Sequence, residues 1–236
     1  MARFDLAIFI LRSIFPAMGI RKPLALQEFY HIYNRGTEKR GIFYTKKDYE
    51  RFIALLYLSN SDKPVHISNH QGSTLPQLLD LKRGEPLVDI GAYCLMPNHF
   101  HLLLRPRQEK GVSRFMQKLT TGYTMYFNIL RDRTGALFQG KFKSEHADSD
   151  RYLKYLIAYI HLNPLKLFEP NWKKHTVKNK KAAESFLNNY LYSSYLEYLD
   201  AVRPQSKVTD KAALPLYFES PKKARQEMFE WILFDR

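Results

Sequence analysis

Four stretches of the chain carry the apolar patterns of β-strands. Residues 28–36 are rich in aromatic and β-branched side chains and end in Asn-Arg-Gly, which predicts a strand followed by a turn. Residues 87–96 and 99–106 are apolar runs separated by a Pro-Asn pair, and this spacing predicts a β-hairpin. Residues 136–147 return to an alternating pattern and are predicted as a fourth strand.

Three other stretches repeat their apolar residues with the period of a helix. The spacing predicts helices over about 46–60 and 112–130, and the second has the most regular apolar stripe in the chain. A third helix begins at Asp148 or Ser149, either of which is a good N-cap. This helix is predicted to stop at Asn163, because the proline that follows disfavours helical geometry in the residue before it.

The elements follow one another as strand, helix, strand, strand, helix, strand and helix. This is the order of a ferredoxin-like α+β domain, in which four antiparallel strands carry helices on one face. We expect this domain to span 24–166, with an insertion at about 61–86, where five Gly and Pro residues leave no clear period. Residues 1–23 would form an N-terminal extension. Residues 167–236 would form a lysine-rich linker and a helical C-terminal extension, whose first helix covers about 184–202.

The charge of the chain favours a polyanionic partner. Its 37 Lys and Arg residues outnumber 23 Asp and Glu, which gives a formal net charge of +14. Between residues 105 and 143, nine basic residues stand against two acidic ones. A solvated basic face is the plainer explanation. However, 16 Tyr and 16 Phe favour nucleic acid, because aromatic rings stack on unpaired bases.

The cysteine content and the first residues bear on the compartment. A single cysteine, Cys94, excludes an internal disulfide framework and a multi-cysteine zinc site, which fits a reducing compartment. The apolar start of the chain is broken by Asp5, Arg12 and Pro16, so we predict neither an export signal nor a membrane span. We therefore expect a cytoplasmic protein.

The strand predicted over 99–106 contains two histidines separated by one phenylalanine. Successive side chains of a strand point to opposite faces, so His99 and His101 share a face while Phe100 lies on the other. Two imidazoles side by side can begin a metal site, but two ligands do not complete one. The alternative is a strand whose apolar face is buried and whose histidines meet water.

The last helix of the domain can supply the missing chemistry. Tyr159 and Asn163 are four residues apart on one helix face, and Tyr152 and Tyr155 lie near the same edge. An amide oxygen can complete a metal site begun by two imidazoles, and a phenol can act as a nucleophile. A tyrosine edge on an amphipathic helix is otherwise most often the rim of a core.

A nucleotide-binding motif is nearly present but incomplete. Residues 135–141 satisfy G-x-x-x-x-G-K, yet Phe142 stands where a Ser or Thr hydroxyl would reach magnesium. The segment also follows a helix and is predicted as a strand, so the strand-to-helix context of a phosphate loop is missing. We predict no nucleotide cofactor.

Four motifs together resemble a known family. In order and spacing, HIYNRG, CLMPNHFHLLLRP, LFQGKFKSEHA and YLIAYIHLNPLK resemble the single-tyrosine transposases of the HUH endonuclease class. They are most similar to the REP-associated tyrosine transposases and their insertion-sequence relatives. The resemblance covers residues 28–167 and is most specific at PNHFH and at Y-I-x-x-N-P.

The resemblance implies roles for particular residues. His99 and His101 match the metal ligands of the HUH motif, Tyr159 matches the nucleophile, and Asn163 stands where a third, amide-type ligand is found. Relatives also carry a Glu-His pair where this chain has Glu145 and His146. We rank that pair, together with Tyr155, as possible secondary active-site residues.

The resemblance also implies an activity and its partners. It implies a transposase that uses Mg²⁺ or Mn²⁺ to nick single-stranded DNA near hairpins through a 5′-phosphotyrosine and rejoins strands without ATP. We expect a monomer or a homodimer, and a prokaryotic, nucleoid-associated location without a membrane partner. The basic residues expected to contact DNA are Arg35, Arg105, Arg107, Arg114, Lys118, Lys141 and Lys143.

Two other functions remain open at this stage. One is a domesticated protein that holds hairpin DNA or RNA without cutting it. The other is a metal-free phosphoesterase with two H-x-[ST] motifs. His66-Ile67-Ser68 supplies one such motif. In His99-Phe100-His101, the only candidate for the other, His101 stands where the motif needs Ser or Thr.

Overall fold

A computed structural model describes residues 24–64, 67–70, 72–172 and 177–233. The predicted N-terminal extension and His66 therefore lie outside the described residues, as do two lysines of the predicted linker, Lys173 and Lys174. Among the described residues, no helix combines the length and the apolar character needed to cross a membrane.

A four-stranded antiparallel sheet forms the centre of the fold. Its strands are β1 (Tyr30–Arg35), β2 (Val88–Met96), β3 (His99–Pro106) and β4 (Lys143–His146). They lie in the order β2-β3-β1-β4, and each neighbouring pair is antiparallel. This is the ferredoxin-like arrangement expected from the order of elements, so the predicted fold class is confirmed.

The helices bear out the three main periodic stretches. They are α1 (Lys46–Leu58), α2 (Leu75–Leu79), α3 (Gly111–Leu130), α4 (Asp150–Leu162), α5 (Leu165–Phe168), α6 (Lys180–Asn189), α7 (Tyr195–Tyr198) and α8 (Pro221–Leu233). Single turns of 3-10 helix lie at Thr37–Lys39, Ile67–His70, Pro204–Lys207 and Lys211–Ala213. The strand predicted over 136–147 is divided. Phe138 bridges to Gly36, the chain then turns through Gly140, whose φ is +67°, and the regular pairing of β4 begins at Lys143.

One face of the sheet packs against α1 and α3. Phe100, Leu102 and Leu104 of β3 are fully buried there, in one cluster with Phe52 of α1 and Phe115 of α3. The segment 61–86 is more than a surface insertion. Its α2 contacts α1, and its leucines join the same cluster.

The other face of the sheet packs against α4 and the C-terminal extension. Leu103 of β3 and Cys94 of β2 lie in a second buried cluster with Ile157 of α4 and Met228 of α8. The alternation of β3 therefore serves two cores, one on each face of the sheet. The histidine-bearing face is the one that α4 covers.

The C-terminal extension also pairs with the outer edge of β2. The amide of Leu95 donates to the carbonyl of Tyr192 at 2.9 Å, and the amide of Ser194 donates to the carbonyl of Tyr93 at 3.0 Å. This pairing requires an extended backbone, so the helix predicted over 184–202 is interrupted between α6 and α7.

Helix α4 begins as predicted but is followed by further helical backbone. The hydroxyl of Ser149 caps its first turn by accepting from the amide of Tyr152 at 3.4 Å. Its last residue is Leu162, yet Asn163 (φ −55°, ψ −37°) and Pro164 (φ −59°, ψ −22°) remain helical. A proline is compatible with the first turn of the next helix because its missing N–H would have no helical partner there. The chain therefore passes from α4 into α5 without changing to an extended backbone.

We predict that His161 of α4 makes the stability of the fold sensitive to acid. Burial lowers the pKa of its imidazole to about 3, and Nε2 lies 2.7 Å from Oγ of Ser194. The unfolded chain takes up this proton below about pH 6.5 and the folded chain does not, so stability falls as pH decreases from about 6.5 towards 3. In urea unfolding, the loss of stability between pH 7 and pH 5 should be about 2 kcal/mol smaller in His161→Gln than in wild type. Equal losses in the two proteins would contradict this role.

Candidate active site

Side chains from β1, β3 and α4 meet on the face of the sheet that α4 covers. In the register of the sheet, Tyr33 lies opposite His101, Arg35 opposite His99 and His31 opposite Leu103. Residues opposite each other in an antiparallel pair share a face, so the two predicted ligands lie beside a third histidine. His31 and His101 are both buried, with 2% and 6% of their surface exposed.

Neighbouring side chains orient both histidines of the His-x-His motif. Nδ1 of His101 lies 2.9 Å from Nε2 of His31, and Nδ1 of His99 lies 2.6 Å from Oδ1 of Asn98. The rings of His99 and His101 are perpendicular, with centroids 5.0 Å apart. A metal bound by both rings would therefore use the two Nε2 atoms.

Helix α4 places the predicted nucleophile against these histidines. The ring of Tyr159 stands edge-on to His101, with centroids 5.5 Å apart, and edge-on to His31 at 5.8 Å. Tyr155 lies one turn earlier, with its ring centroid 6.0 Å from that of Tyr159. The predicted secondary position at Tyr155 is therefore next to the nucleophile.

Asn163 lies directly after α4, between the tyrosine and the histidines. Its side chain is fully buried, and within the described chain neither its amide oxygen nor its amide nitrogen makes a hydrogen bond of standard geometry. It is close enough to affect both neighbours. The contribution of Asn163 alone raises the pKa of His99 and lowers the pKa of Tyr159, against the larger effect of burial on each group. A buried amide without a well-formed hydrogen bond is costly, and a ligand at this position would relieve that cost.

The electrostatic environment keeps the site histidine neutral and the tyrosine protonated. Burial, helped by the positive charges of Lys166 and Arg35, lowers the pKa of His99 to about 4. Burial also raises the pKa of Tyr159, and the Glu145 carboxylate adds to that increase. At neutral pH, His99 is therefore an uncharged potential ligand, whereas the phenol of Tyr159 retains its proton.

The two residues of the Glu-His pair lie on opposite faces of β4. Glu145 faces the site, where its carboxylate accepts from the hydroxyl of Tyr33 at 2.8 Å. His146 is exposed on the other face, 3.0 Å from the carboxylate of Glu28 and beside the ring of Tyr30. Consecutive residues of a strand cannot share a face, so only Glu145 of the predicted pair reaches the site.

Three of the seven basic residues expected to contact DNA lie near the site. Arg35 ends β1 opposite His99, and Nε of Arg35 donates to Gln139 at 2.5 Å. Lys143 lies opposite Tyr33, and Lys141 is exposed two residues earlier. Arg35 and Lys143 lie on the face that carries the histidines.

The other four basic residues make contacts elsewhere. Arg105 and Arg107 both pair with the buried carboxylate of Asp89, at 2.8 and 3.4 Å. Arg114 donates to Gln108 at 3.0 Å. The ammonium of Lys118 donates to two backbone carbonyls in the 61–86 segment, at 2.5 and 2.8 Å, so internal hydrogen bonds occupy it.

The donor set fits a metal only if an amide takes part. Within the described residues, no group of three or more His, Cys, Asp and Glu side chains is arranged to hold a metal ion. His99, His101 and the amide oxygen of Asn163 together provide two imidazole ligands and one oxygen ligand. Mixed sets of this kind bind divalent cations, and the buried amide of Asn163 fits such a role.

Three neighbours of the site were not identified from the sequence. His31 and Tyr33 alternate with Arg35 along β1, and that alternation could have placed them on one face. Lys166 has its ammonium 5.9 Å from the centre of the Tyr159 ring. Because Pro164 predicted the end of the helix, no pattern in the sequence placed Lys166 beside Tyr159.

Comparisons with known proteins find a family model and solved structures that resemble this chain. Residues 65–163, rather less than half of the chain, match the family model described as "Transposase IS200 like". Among solved structures, the chain is similar to a REP-associated tyrosine transposase bound to a REP hairpin. The identity is 13% and the TM-score 0.49, over 84% of this chain and 98% of that one. No curated protein matches the sequence.

The matched segment contains the His-x-His strand, helix α4 with Tyr159, and Asn163 directly after that helix. The family match confirms the resemblance inferred from the sequence motifs. Over these residues, the sequence is similar to the IS200-like transposases.

We predict that His99 in the free protein titrates with a pKa of about 4, and that Lys166→Met raises this value. Removing a nearby positive charge favours the protonated imidazole, so the pKa should increase, by about half a unit to one unit. Two-dimensional NMR of the imidazole nitrogens measures the titration. Lys154→Met, on the preceding helix α4 and paired with Glu227, is the matched control and should leave the pKa of His99 unchanged. A His99 pKa near the ordinary value of about 6.5 would contradict the burial described above.

Proposed function

We propose that the protein is a metal-dependent transposase that nicks and rejoins single-stranded DNA through Tyr159. The observation that supports this most strongly is the meeting of one phenol, two imidazoles and one buried amide on a single face of the sheet. The family match over residues 65–163 supports the same class of activity. Hairpin-containing DNA is the substrate we propose, from the motifs shared with the REP-associated transposases.

In this proposal, Nε2 of His99, Nε2 of His101 and Oδ1 of Asn163 would hold a divalent cation, Mg²⁺ or Mn²⁺. When bound, such an ion polarises the scissile phosphate and stabilises the charge that develops on it. His31 fixes the ring of His101, because its Nε2 lies at hydrogen-bonding distance from Nδ1. The protein thus supplies two oriented imidazoles before any metal arrives.

The chemical step uses Tyr159 as the nucleophile. Its Oη forms a bond to phosphorus while the bond from phosphorus to the 3′ oxygen breaks. The phenol gives up one proton and the departing 3′ oxygen takes one up, so the step yields a 5′-phosphotyrosine and a free 3′-OH. A 3′-OH from a second strand then reverses the step. One phosphodiester replaces another, so no nucleotide is consumed.

The phenol needs electrostatic help to react at neutral pH. With an ordinary pKa of about 10, only about one phenol in a thousand is ionised at pH 7, a shortfall of about 4 kcal/mol. Burial raises the pKa of Tyr159 and enlarges this shortfall. Positive charge beside the phenolate must therefore provide the compensation.

The basic residues near the site would hold the DNA strand. Arg35 and Lys143 lie on the histidine-bearing face, and these two residues with the exposed Lys141 would contact the phosphates of the DNA. Such contacts weaken with salt, with a slope of about −0.7 for each phosphate neutralised on a single strand.

We predict that the wild-type protein forms a covalent adduct with a labelled single-stranded hairpin oligonucleotide in Mn²⁺, and that Tyr159→Phe forms none. Removal of the nucleophile leaves no oxygen to bond to phosphorus, so adduct formation should fall by at least about 10³-fold. A denaturing gel measures the adduct. Tyr57→Phe is the control and should behave as wild type. It removes a tyrosine hydroxyl that donates a hydrogen bond to the carbonyl of Leu81.

Three results would oppose the proposal. Tight hairpin binding without an adduct in the wild type favours a non-cleaving nucleic-acid module. An adduct that persists in Tyr159→Phe would show that another residue is the nucleophile. An adduct that forms equally well in EDTA removes the role given to the metal.

We also predict that His31→Phe weakens Mn²⁺ binding by about ten- to a hundredfold, because loss of a hydrogen bond to a ligating imidazole has an effect of this size. Isothermal titration calorimetry measures the affinity without any need for activity. His146→Gln, on the opposite face of the sheet, is the matched control and should bind Mn²⁺ as wild type does. Unchanged affinity in His31→Phe would show that His31 does not orient His101.

A further inference from the structure

Lys166 is a cation beside the proposed nucleophile. Its ammonium lies 5.9 Å from the centre of the Tyr159 ring, and its side chain is only partly exposed. Within the part of the chain that the structure describes, this ammonium forms no ion pair and donates no hydrogen bond. The ammonium of Lys154 on α4, by contrast, pairs with Glu227.

The contact with the tyrosine ring does not account for the position of Lys166. A cation–π contact extends to about 6 Å from the ring centroid, so this one lies at the outer limit. Removing an ammonium from water without a counter-charge is costly, and burial accordingly lowers the pKa of Lys166. An anion at this position would remove that cost.

The positive charge around the site also exceeds what the histidines need. Lys166 and Arg35 both act on His99 and lower its pKa, and neutral imidazoles need no cations beside them. The carboxylate of Glu145 is engaged by the hydroxyl of Tyr33 at 2.8 Å. Two cations therefore lie near His99 against the single carboxylate of Glu145 near Tyr159, and this net positive charge suits an anionic substrate group.

We propose that Lys166 is a catalytic residue that binds the scissile phosphate, its ammonium donating a hydrogen bond to a non-bridging oxygen while Tyr159 attacks phosphorus. This inference rests on the proposed function, since it takes single-stranded DNA as the substrate. A lysine suits the task because it is a compact charge on a flexible stem that can follow the phosphate as the bonds change.

A binding experiment tests the contact separately from catalysis. The oligonucleotide carries either the normal phosphate or a neutral methylphosphonate at the cleavage position, and the protein carries Tyr159→Phe so that no cleavage occurs. We expect the methylphosphonate to weaken binding by about tenfold in Tyr159→Phe, but by less than about twofold in Tyr159→Phe with Lys166→Met. Methionine keeps the apolar stem, and thermal unfolding checks that the double variant is folded.

Control variants separate this contact from general electrostatics. Lys154→Met removes one positive charge from the preceding helix, α4, where Lys154 pairs with Glu227, and the methylphosphonate effect should remain about tenfold. In single-turnover adduct formation, Lys166→Met should be slower by about a hundredfold, while Lys166→Arg, which keeps the charge, should recover most of the rate.

The possible results are distinguishable. An equal methylphosphonate effect with and without Lys166 overturns the contact, even if the wild type forms its adduct. A wild type that forms no adduct overturns the proposed function, whereas the affinity measurements still decide whether Lys166 contacts the phosphate.

Discussion

The register of β3 within the sheet is the constraint on which the rest of the structure depends. Its side chains alternate between Phe100, Leu102 and Leu104 on one face and the two histidines with Leu103 on the other. A slip of one residue would exchange the two sets and bury imidazoles against α1 and α3. The apolar face fixes the register through packing, and the same register places His99 and His101 under α4. The core and the candidate site are thus specified by one strand.

The precision of the site comes from the covering layer as much as from the sheet. Helix α4 lies between the sheet and α8, in a buried cluster that includes side chains from both. His161 secures it further by its contact with Ser194 at 2.7 Å. A tyrosine on a helix held from both sides has little freedom to move away from the histidines. The C-terminal extension therefore contributes to the site without donating a residue to it.

Much of the fold follows from local sequence pattern. The parts that do not follow from it are determined by contacts between residues far apart in the sequence. The hairpin over 87–106 and the helix over 112–130 were predicted because period and turn chemistry agree there. The break in the helix predicted over 184–202 comes from pairing with β2, about a hundred residues away in sequence. The small core within 61–86 was missed because it depends on packing against α1 rather than on its own period.

The candidate site shows the same division. The spacing of the His-x-His pair and of Tyr159 with Asn163 was visible in the sequence, and strand alternation could also have separated Glu145 from His146. The position of Lys166 beside Tyr159 could not be predicted, because Pro164 indicated the end of a helix whereas the backbone there stays helical. The importance of His31 depends on the alignment of β1 with β3, which the sequence does not state.

The pairing of residues 192–194 with β2 has a consequence for how copies of this protein can meet. Another chain can add to a sheet only where the edge strand has unpaired backbone N–H and C=O groups. At the β2 edge, residues 192–194 already pair with such groups. On the far flank, β4 is four residues long and includes a lysine and a histidine exposed to solvent. Short, charged flanks discourage edge-to-edge growth. The molecule is thereby protected from joining its sheet to that of a neighbour, and encounters between copies are directed to the helical surfaces.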